Sequence, residues 1–461
     1  MSHENLPLKS KLAYGGFWAG VSLPSQIFFS AITFFYNTVL GLRPETIGIA
    51  WLFFSIWNTI NDPIFGFLIE RTKSEKYGRR IPYIRFGAPI YGAFFILCWI
   101  PIVDVNNQVA LFFNLIFVLF VFDTLFTILG LINYTLPAEM VITAKARANL
   151  MVYGNIINSI ALFISFVLPT LLLIGNSAPY EIYLIAMIFV GIVSAIILFI
   201  SSFYLKENMY TQMEETLPIL NGIKETFKNE PFLIFEVSIF SFTLAQTILT
   251  TAIFYYVEYV LLLSGLLTTI PLIIVFIMIF AFLMIFNRLV GRYGVKKTFI
   301  LTLLLTGLSF LLIFFIGWDF ISALIGFILI GIGFSGYMIT NNIVMADIVD
   351  YDEILTGKRR ETSYSGMNAL ITKPAISIGN WLFLLIISFS GFNSEQSTQT
   401  FSAQLGILAG FSLIPSIFLI ISAFVMFLYP LDGPQWQTEK NNIIEIHRKK
   451  ENEYQKMLER K

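Results

Sequence analysis

Residues 181–205 read EIYLIAMIFVGIVSAIILFISSFYL, with one charged residue, Glu181, at the start. A helix crosses the hydrocarbon core of a bilayer with about 20 predominantly apolar residues, so this stretch is long enough alone. Runs like it recur along the chain. They fall at roughly 13–40, 45–69, 82–103, 109–137, 148–174, 181–205, 231–262, 266–287, 298–317, 320–344, 364–390 and 402–430. The pattern predicts an all-α membrane protein of twelve transmembrane helices. Strands of an outer-membrane barrel would be short and alternating, which these runs are not. Composition agrees: 57% of residues are hydrophobic and 13% charged, against roughly 25% charged in a soluble globular chain. Mean hydropathy is +0.78.

The same counts exclude several functions. Lys plus Arg and Asp plus Glu both number 29, so there is no basic footprint for nucleic acid. Cys98 is the only cysteine, which rules out an internal disulfide or a cysteine metal cluster. His3 and His447 are the only histidines and both lie in polar ends, so histidine has no intramembrane catalytic or metal role. The polar start, Met1 to Lys11, leads into an apolar run too long for a signal core, and no cleavable leader is expected. The expected partners are a small-molecule solute and the lipid bilayer, the expected state is a monomer, and no enzyme activity or cofactor is expected beyond a coupling ion.

With an even number of helices both ends share a side. Lys9, Lys11, the 71–80 loop, Lys145, Arg147, Lys206, the 288–297 loop, Lys358, Arg359 and Arg360 all fall on it, and Arg43 alone falls opposite. The positive-inside rule then places both ends in the cytoplasm of a multi-pass plasma-membrane protein. Segment 206–230 is polar and divides the spans into two sets; Leu220, Ile223 and Phe227 within it recur at helical spacing, as in a surface-lying helix. The chain therefore divides into a six-helix half at 1–205, a linker at 206–230, a second half at 231–430 and a cytoplasmic tail at 431–461. The halves echo one another. Tyr77-Gly78-Arg79-Arg80 follows the second span, and Tyr293-Gly294-Val295-Lys296-Lys297 follows the eighth. Parallel six-helix repeats with substrate between them define the major facilitator fold.

A charge inside a bilayer costs about 2.5–3.5 kcal/mol on insertion scales, so each one is a functional candidate. Asp62 lies in span two, Asp123 in span four and Lys373 in span eleven, while Glu236 and Glu258 lie nearer the ends of span seven. Asp62 sits in Trp57-Asn58-Thr59-Ile60-Asn61-Asp62-Pro63. Asn58 and Asp62 are four apart and share a helix face, Asn61 adds an amide beside it, and Pro63 frees the carbonyl of Thr59. This oxygen-rich patch suits a sodium ion at Asp62, or a proton on it; the plain alternative is a structural partner for the basic loop or for Lys373. Lys373 lies between Thr372 and Pro374, too deep to snorkel with ease. It forms either a pair broken by cation binding or a permanent one. Asp123 and Thr127, one turn apart, either complete a cation site or face substrate.

Gly66 permits close helix approach, and the loop after it carries Arg71, Gly78, Arg79 and Arg80. These are candidates for a cytoplasmic gate, pairing with acids of the other half, or for topology signals alone. The run Ala346-Asp347-Ile348-Val349-Asp350-Tyr351-Asp352-Glu353, then Gly357-Lys358-Arg359-Arg360-Glu361-Thr362, is read as a loop that supplies Asp347 and Asp350 as latch acids and Arg360 as a further basic partner.

These motifs resemble the glycoside–pentoside–hexuronide:cation symporter family through most of the chain. The resemblance rests on Lys11-Leu12-Ala13-Tyr14-Gly15, Asn61-Asp62-Pro63-Ile64 with Gly66, Gly78-Arg79-Arg80, Ala346-Asp347 with Val349-Asp350-Tyr351, and Gly357-Lys358-Arg359 with Glu361 and Lys373. It implies a cation site built from Asp62, Asn61 and Thr127. The family's other second-helix aspartate is replaced here by Asn58. The family's sugar-binding aspartates and arginine fall at Ser22, Gly130 and Asn155, so a galactoside is not expected to bind in the same way. The family also resembles vertebrate sodium-dependent lysophospholipid carriers. The expected function is a sodium- or proton-coupled secondary symporter for a sugar, glycoside or related solute, with a lysophospholipid or other amphiphile carrier as the alternative.

Overall fold

The structure, a computed structural model, describes residues 6–72, 78–141, 144–175, 180–207, 226–357 and 360–442. The proposed surface helix around Leu220 and Ile223 and the tail beyond 442 lie outside the described residues. The spans form α1 (Leu8–Phe34), α2 (Pro44–Arg71), α3 (Ile81–Leu97), α4 (Gln108–Met140), α5 (Ala144–Leu173) and α6 (Tyr180–Ser201), followed by α7 (Glu230–Tyr255), α8 (Ile270–Tyr293), α9 (Val295–Ile316), α10 (Phe320–Thr356), α11 (Glu361–Phe389) and α12 (Phe401–Met426). Eleven of them are long and apolar enough to cross a membrane. The remaining one, α3, has 17 residues, about 25 Å at 1.5 Å per residue. Large apolar side chains point outward all round, among them Phe189 at 67% exposed and Met284 at 76%. A water-soluble monomer does not present such a surface; hydrocarbon accommodates it.

The two halves repeat one pattern of packing. In the first, α1 packs on α5 and α6, α3 on α6, and α2 on α4; in the second, α7 packs on α11 and α12, α9 on α12, and α8 on α10. The repeat extends to detail. Both α1 and α7 end in a π-turn, Phe35–Val39 and Tyr256–Val260. After each, a backbone N–H returns six residues, Leu42 to Tyr36 and Leu263 to Val257. Close α3–α6 approach needs Gly92, where a Cβ would lie 2.5 Å from the Gly191 carbonyl oxygen. Its counterpart on α9 is Gly307, where a Cβ would lie 2.9 Å from Ile420 on α12. Small residues give such helices their contact because lipid supplies no hydrophobic drive between them.

One expectation is corrected here. The acidic run Asp347–Glu353 is not a loop: α10 continues through it to Thr356 and ends on Gly357, whose φ of +70° is the left-handed C-terminal cap. Its helical continuation is physically reasonable, since Ile348 and Asp352 are four apart and both buried. At the other end, the Asp319 carboxylate accepts from the Ser322 N–H at 3.0 Å and starts the helix.

Across the seam between halves, α2 lies along α11, and α1 meets α7. Several contacts seal the face opposite the basic loops. Phe34 packs against Phe254 and Tyr255 at 5.4 and 4.9 Å between ring centroids. Trp51 Nε1 donates to Thr33 Oγ1 at 2.9 Å, and Thr33 donates to Asn380 of α11 at 3.4 Å. Ser388 donates to Glu45 at 2.9 Å, and Thr268 to the Thr170 carbonyl at 3.0 Å.

Replacing Gly92 by Leu is expected to destabilise the protein by about 1–3 kcal/mol, the usual cost of overpacking. Gly87→Ala, on the same helix with nothing within 4 Å of the new Cβ, should be neutral or slightly stabilising. Thermal unfolding of the purified protein in detergent compares the two.

Candidate functional site

Near mid-depth on the α2–α11 contact, Lys373 reaches across the seam. Its Nζ donates to Asp62 Oδ1 at 2.5 Å and to Asn61 Oδ1 at 3.0 Å. Asn61 is fully buried, and its amide works in both directions. While Oδ1 accepts from Lys373, Nδ2 donates to Asp123 and, at 3.1 Å, to Thr127 Oγ1. Four sequence-derived candidates from two helices of one half are thus brought together with the lysine of the other. Asp123 is 1% exposed, Thr127 4% and Asn58 4%. Asn58 lies one turn from Asp62 on the side away from the basic loops. The Asp62 and Lys373 side chains keep 26% and 18% of their exposure, so the pair is reachable.

Three glycines leave room around the helices on its basic-face side. Gly66 is one turn from Asp62, Gly130 one turn from Thr127, and Gly366 two turns from Lys373, each toward that face and near the same side of its helix. A Cβ at Gly130 or Gly366 would meet nothing within 4 Å, and at Gly66 only Leu131 at 3.9 Å. The space beneath the charged cluster is open, while the seam above it is sealed by Trp51, Thr33 and Asn380.

The gate candidates are held differently from expectation. Arg79 and Arg80 do not pair with Asp347 or Asp350. Both form ion pairs with Glu139 at the end of α4, Arg79 at 3.2 Å. Burial pushes the Glu139 carboxyl up, and Arg80 and then Arg79 hold it down. The Glu207 carboxylate, just after α6, accepts from the backbone N–H groups of Arg79, Arg80 and Ile81 at 2.7 Å each. It thereby caps α3 and meets orphan donors. Gly78, at φ +82°, leaves room for it, since a Cβ would lie 2.7 Å from its oxygen. Arg71 lies 4.0 Å over the Phe67 ring. In the second half, Asp347 pairs with Lys440 and accepts from Trp436 Nε1 at 3.4 Å, so the helical residues 433–442 are tied to α10. Arg360 forms a bidentate pair with Asp352 across the α10–α11 junction, and Asp350 is half-buried. Each cluster closes within its own half because each has an acid nearer than the opposite half. Sequence reading missed Glu139, Glu207 and Lys440; an acid at the end of a span beside a basic loop was the available signal for the first.

The chain matches the family described as MFS/sugar transport protein over residues 10–433. It belongs to that family. The glucuronide carrier protein homolog of Escherichia coli is 24% identical over 427 residues, covering 90% of both chains. The isoprimeverose transporter of Lactiplantibacillus pentosus is 22% identical over 452 residues, covering 93% of this chain and 90% of that one. Among solved structures, a D-xylose-proton symporter superposes with a TM-score of 0.63 at 14% identity, covering 92% of this chain and 95% of the other. The protein is a multi-pass membrane transporter of the major facilitator fold and not an enzyme, as the motif resemblance implied.

Lys373→Met should lower the unfolding temperature by leaving Asp62 without its cation. The cost should be below the about 3–5 kcal/mol of a fully buried pair, because this pair is partly exposed. Asp62→Asn combined with Lys373→Met should recover most of the loss, which a double-mutant cycle in detergent measures. Separately, Gly78→Ala should displace Glu207 and lower stability by more than 1 kcal/mol or so, since it strains φ and removes the α3 cap together.

Proposed function

We propose that this transporter is a cation-coupled secondary symporter for a sugar, glycoside or related small solute, working by alternating access. The observation that carries the reading is the Lys373 ammonium seated on Asp62 Oδ1 and Asn61 Oδ1. Those two oxygens are the hard donors a sodium ion would take, with Thr127 and Asn58 beside them; a proton on Asp62 would remove the same charge. Either event competes with Lys373. Because Lys373 belongs to α11 and its partners to α2, loss of the bridge changes the attraction between the halves. A ligand shifts an equilibrium by its different affinity for the two states, and here that difference is built into the pair. Asp123, joined to Asn61, supplies a second carboxylate in a chain where Asn58 replaces the family's other second-helix aspartate.

The printed names of the glucuronide carrier homolog and the isoprimeverose transporter support a sugar or glycoside as solute. The clustering of Lys and Arg on one face supports a plasma-membrane protein with both ends in the cytoplasm. On that orientation the open chamber beneath Asp62 faces inward.

Asp62→Asn should abolish uptake driven by a sodium or pH gradient while sparing downhill exchange. Proteoliposomes loaded with candidate glycosides, pentoses and hexuronides, with lysolipids as a separate arm, give the readout. Concentrative uptake at the wild-type level by the variant would remove Asp62 from coupling. Transport of lysolipid alone would replace the sugar reading with an amphiphile carrier.

A further inference from the structure

A second carboxylate lies deep in the other half, away from the Asp62 cluster. Glu236 is the seventh residue of α7, about 9 Å from its start at 1.5 Å per residue, and is 3% exposed. Its Oε1 accepts one hydrogen bond, from Asn368 Nδ2 of α11 at 3.2 Å. Its Oε2 is buried and has no partner. Among the described residues no cation forms an ion pair with it. The titratable group that faces it from α10 is the Tyr337 phenol. From α11 the nearest charged residue is Lys373, five positions on and bonded instead to Asp62 and Asn61. α12 carries no titratable residue, and on α1 Lys11 lies over the Tyr153 ring of its own half.

We propose that Glu236 and Asn368 form a second ion-binding site, specific for a proton, that fastens α11 to α7. The inference adds to the coupling cluster and does not depend on it. Two features select a proton over a metal ion. Asn368 turns its NH2 and not its oxygen to the carboxylate, so the amide adds no hard donor beside Glu236, whereas sodium needs several. And one carboxylate oxygen already has its donor, which leaves the unpartnered Oε2 to take the proton. An ionised carboxylate with one amide donor, away from water and from any cation, is costly. Adding a proton from water on the basic side to Oε2 gives the neutral acid, while Oε1 goes on accepting from Asn368.

The site's place gives the proton a consequence. Nearer the helix ends, one turn from Asn368 and two from Glu236, Asn229 Nδ2 donates to Tyr364 Oη at 2.7 Å, a second tie between α7 and α11. α11 is therefore clasped to α7 on one side and, through Lys373, to α2 of the other half on the other. Movement of α11 away from α7 wets Glu236 and releases the proton, so the carrier holds one proton at α7–α11 in addition to whichever ion Asp62 takes.

The test is infrared difference spectroscopy of the full chain in lipid, stepping from mildly acidic to alkaline buffer without substrate. Wild type is expected to keep a protonated-carboxyl C=O band at neutral pH. Glu236→Gln, which preserves shape and the Asn368 bond, should lose one carboxyl's share of it, whereas Asp123→Asn and Glu258→Gln should leave that share in place. Asn368→Leu, which removes the donor, should move the band to higher frequency and serves if Glu236→Gln fails to fold. A neutral-pH band that both Glu236→Gln and Asn368→Leu leave unchanged would overturn the proposal. Failure of Asp62→Asn to block gradient-driven uptake would instead overturn the coupling role of Asp62 and leave the Glu236 spectrum as it is.

Discussion

An ammonium group placed near mid-membrane must be met by something, and the energetics of that need organise the seam of this transporter. Lys373, largely withdrawn from solvent, is satisfied by Asp62 and the Asn61 carbonyl across the interface. Asn61 then has its NH2 free for Asp123 and Thr127, and one amide orients a carboxylate and a hydroxyl from α4 toward α2. The register of α2 against both α4 and α11 follows from one side chain. A partly buried pair of this kind is weak evidence for stability, because desolvation offsets its Coulombic gain. On the proposed symport reading it is a contact that exchange with a small cation would make and break.

The repeat of packing between halves is close, but the chemistry is not repeated. α2 and α8 occupy equivalent places, and α8 has no counterpart of Asp62 within its span. The seam reflects this. α2 meets α11 along polar and charged groups, whereas the symmetric pair, α5 and α8, meets through Phe163, Phe166 and Phe276, about 6.2 and 6.1 Å apart as ring centroids. Aromatic faces slide with little penalty, while an ion pair in low dielectric is specific in distance and partner. On the proposed alternating-access reading, the polar side of the seam is therefore where an ion would bias the rocking of two otherwise similar halves, and the aromatic side is where the rocking would be least hindered.

Much of this was legible in the sequence. Apolar run length gave the helices, because hydrocarbon thickness sets them, and the paired basic loops gave the two halves. Asp62, Lys373 and Asp123 stood out because charges in such runs are few, and Thr127 because it lies one turn from Asp123. What was hidden has a common cause. α10 extends beyond its apolar run, since past the membrane edge helix length is set by packing and capping at Gly357 and no longer by hydropathy. The pairing of Arg79 and Arg80 with Glu139, and of Asp347 with Lys440, depends on which helix ends adjoin, and charge sign alone does not determine that. The Glu207 cap on α3 bridges more than a hundred residues of sequence to three backbone groups, which carry no sequence signal at all.

The placement of these cytoplasm-side clusters bears on how the basic face would close. Arg79 and Arg80 share Glu139, and Asp347 is held by Lys440 and Trp436, so these three latch candidates already have their partners. Closing that face through these residues would require each to exchange one partner for another of like strength, at nearly balanced cost. Such exchange contributes little net energy, which leaves the direction of rocking to the groups whose partners change in kind. On the proposed readings those are Asp62 with Lys373, where a mobile ion would replace an ammonium, and Glu236, which would release its proton on wetting. The glycines beneath the cluster, Gly66, Gly130 and Gly366, keep that route open to ions in the conformation seen here. A side chain at any of them would narrow the approach to Asp62 without touching a single hydrogen bond of the site.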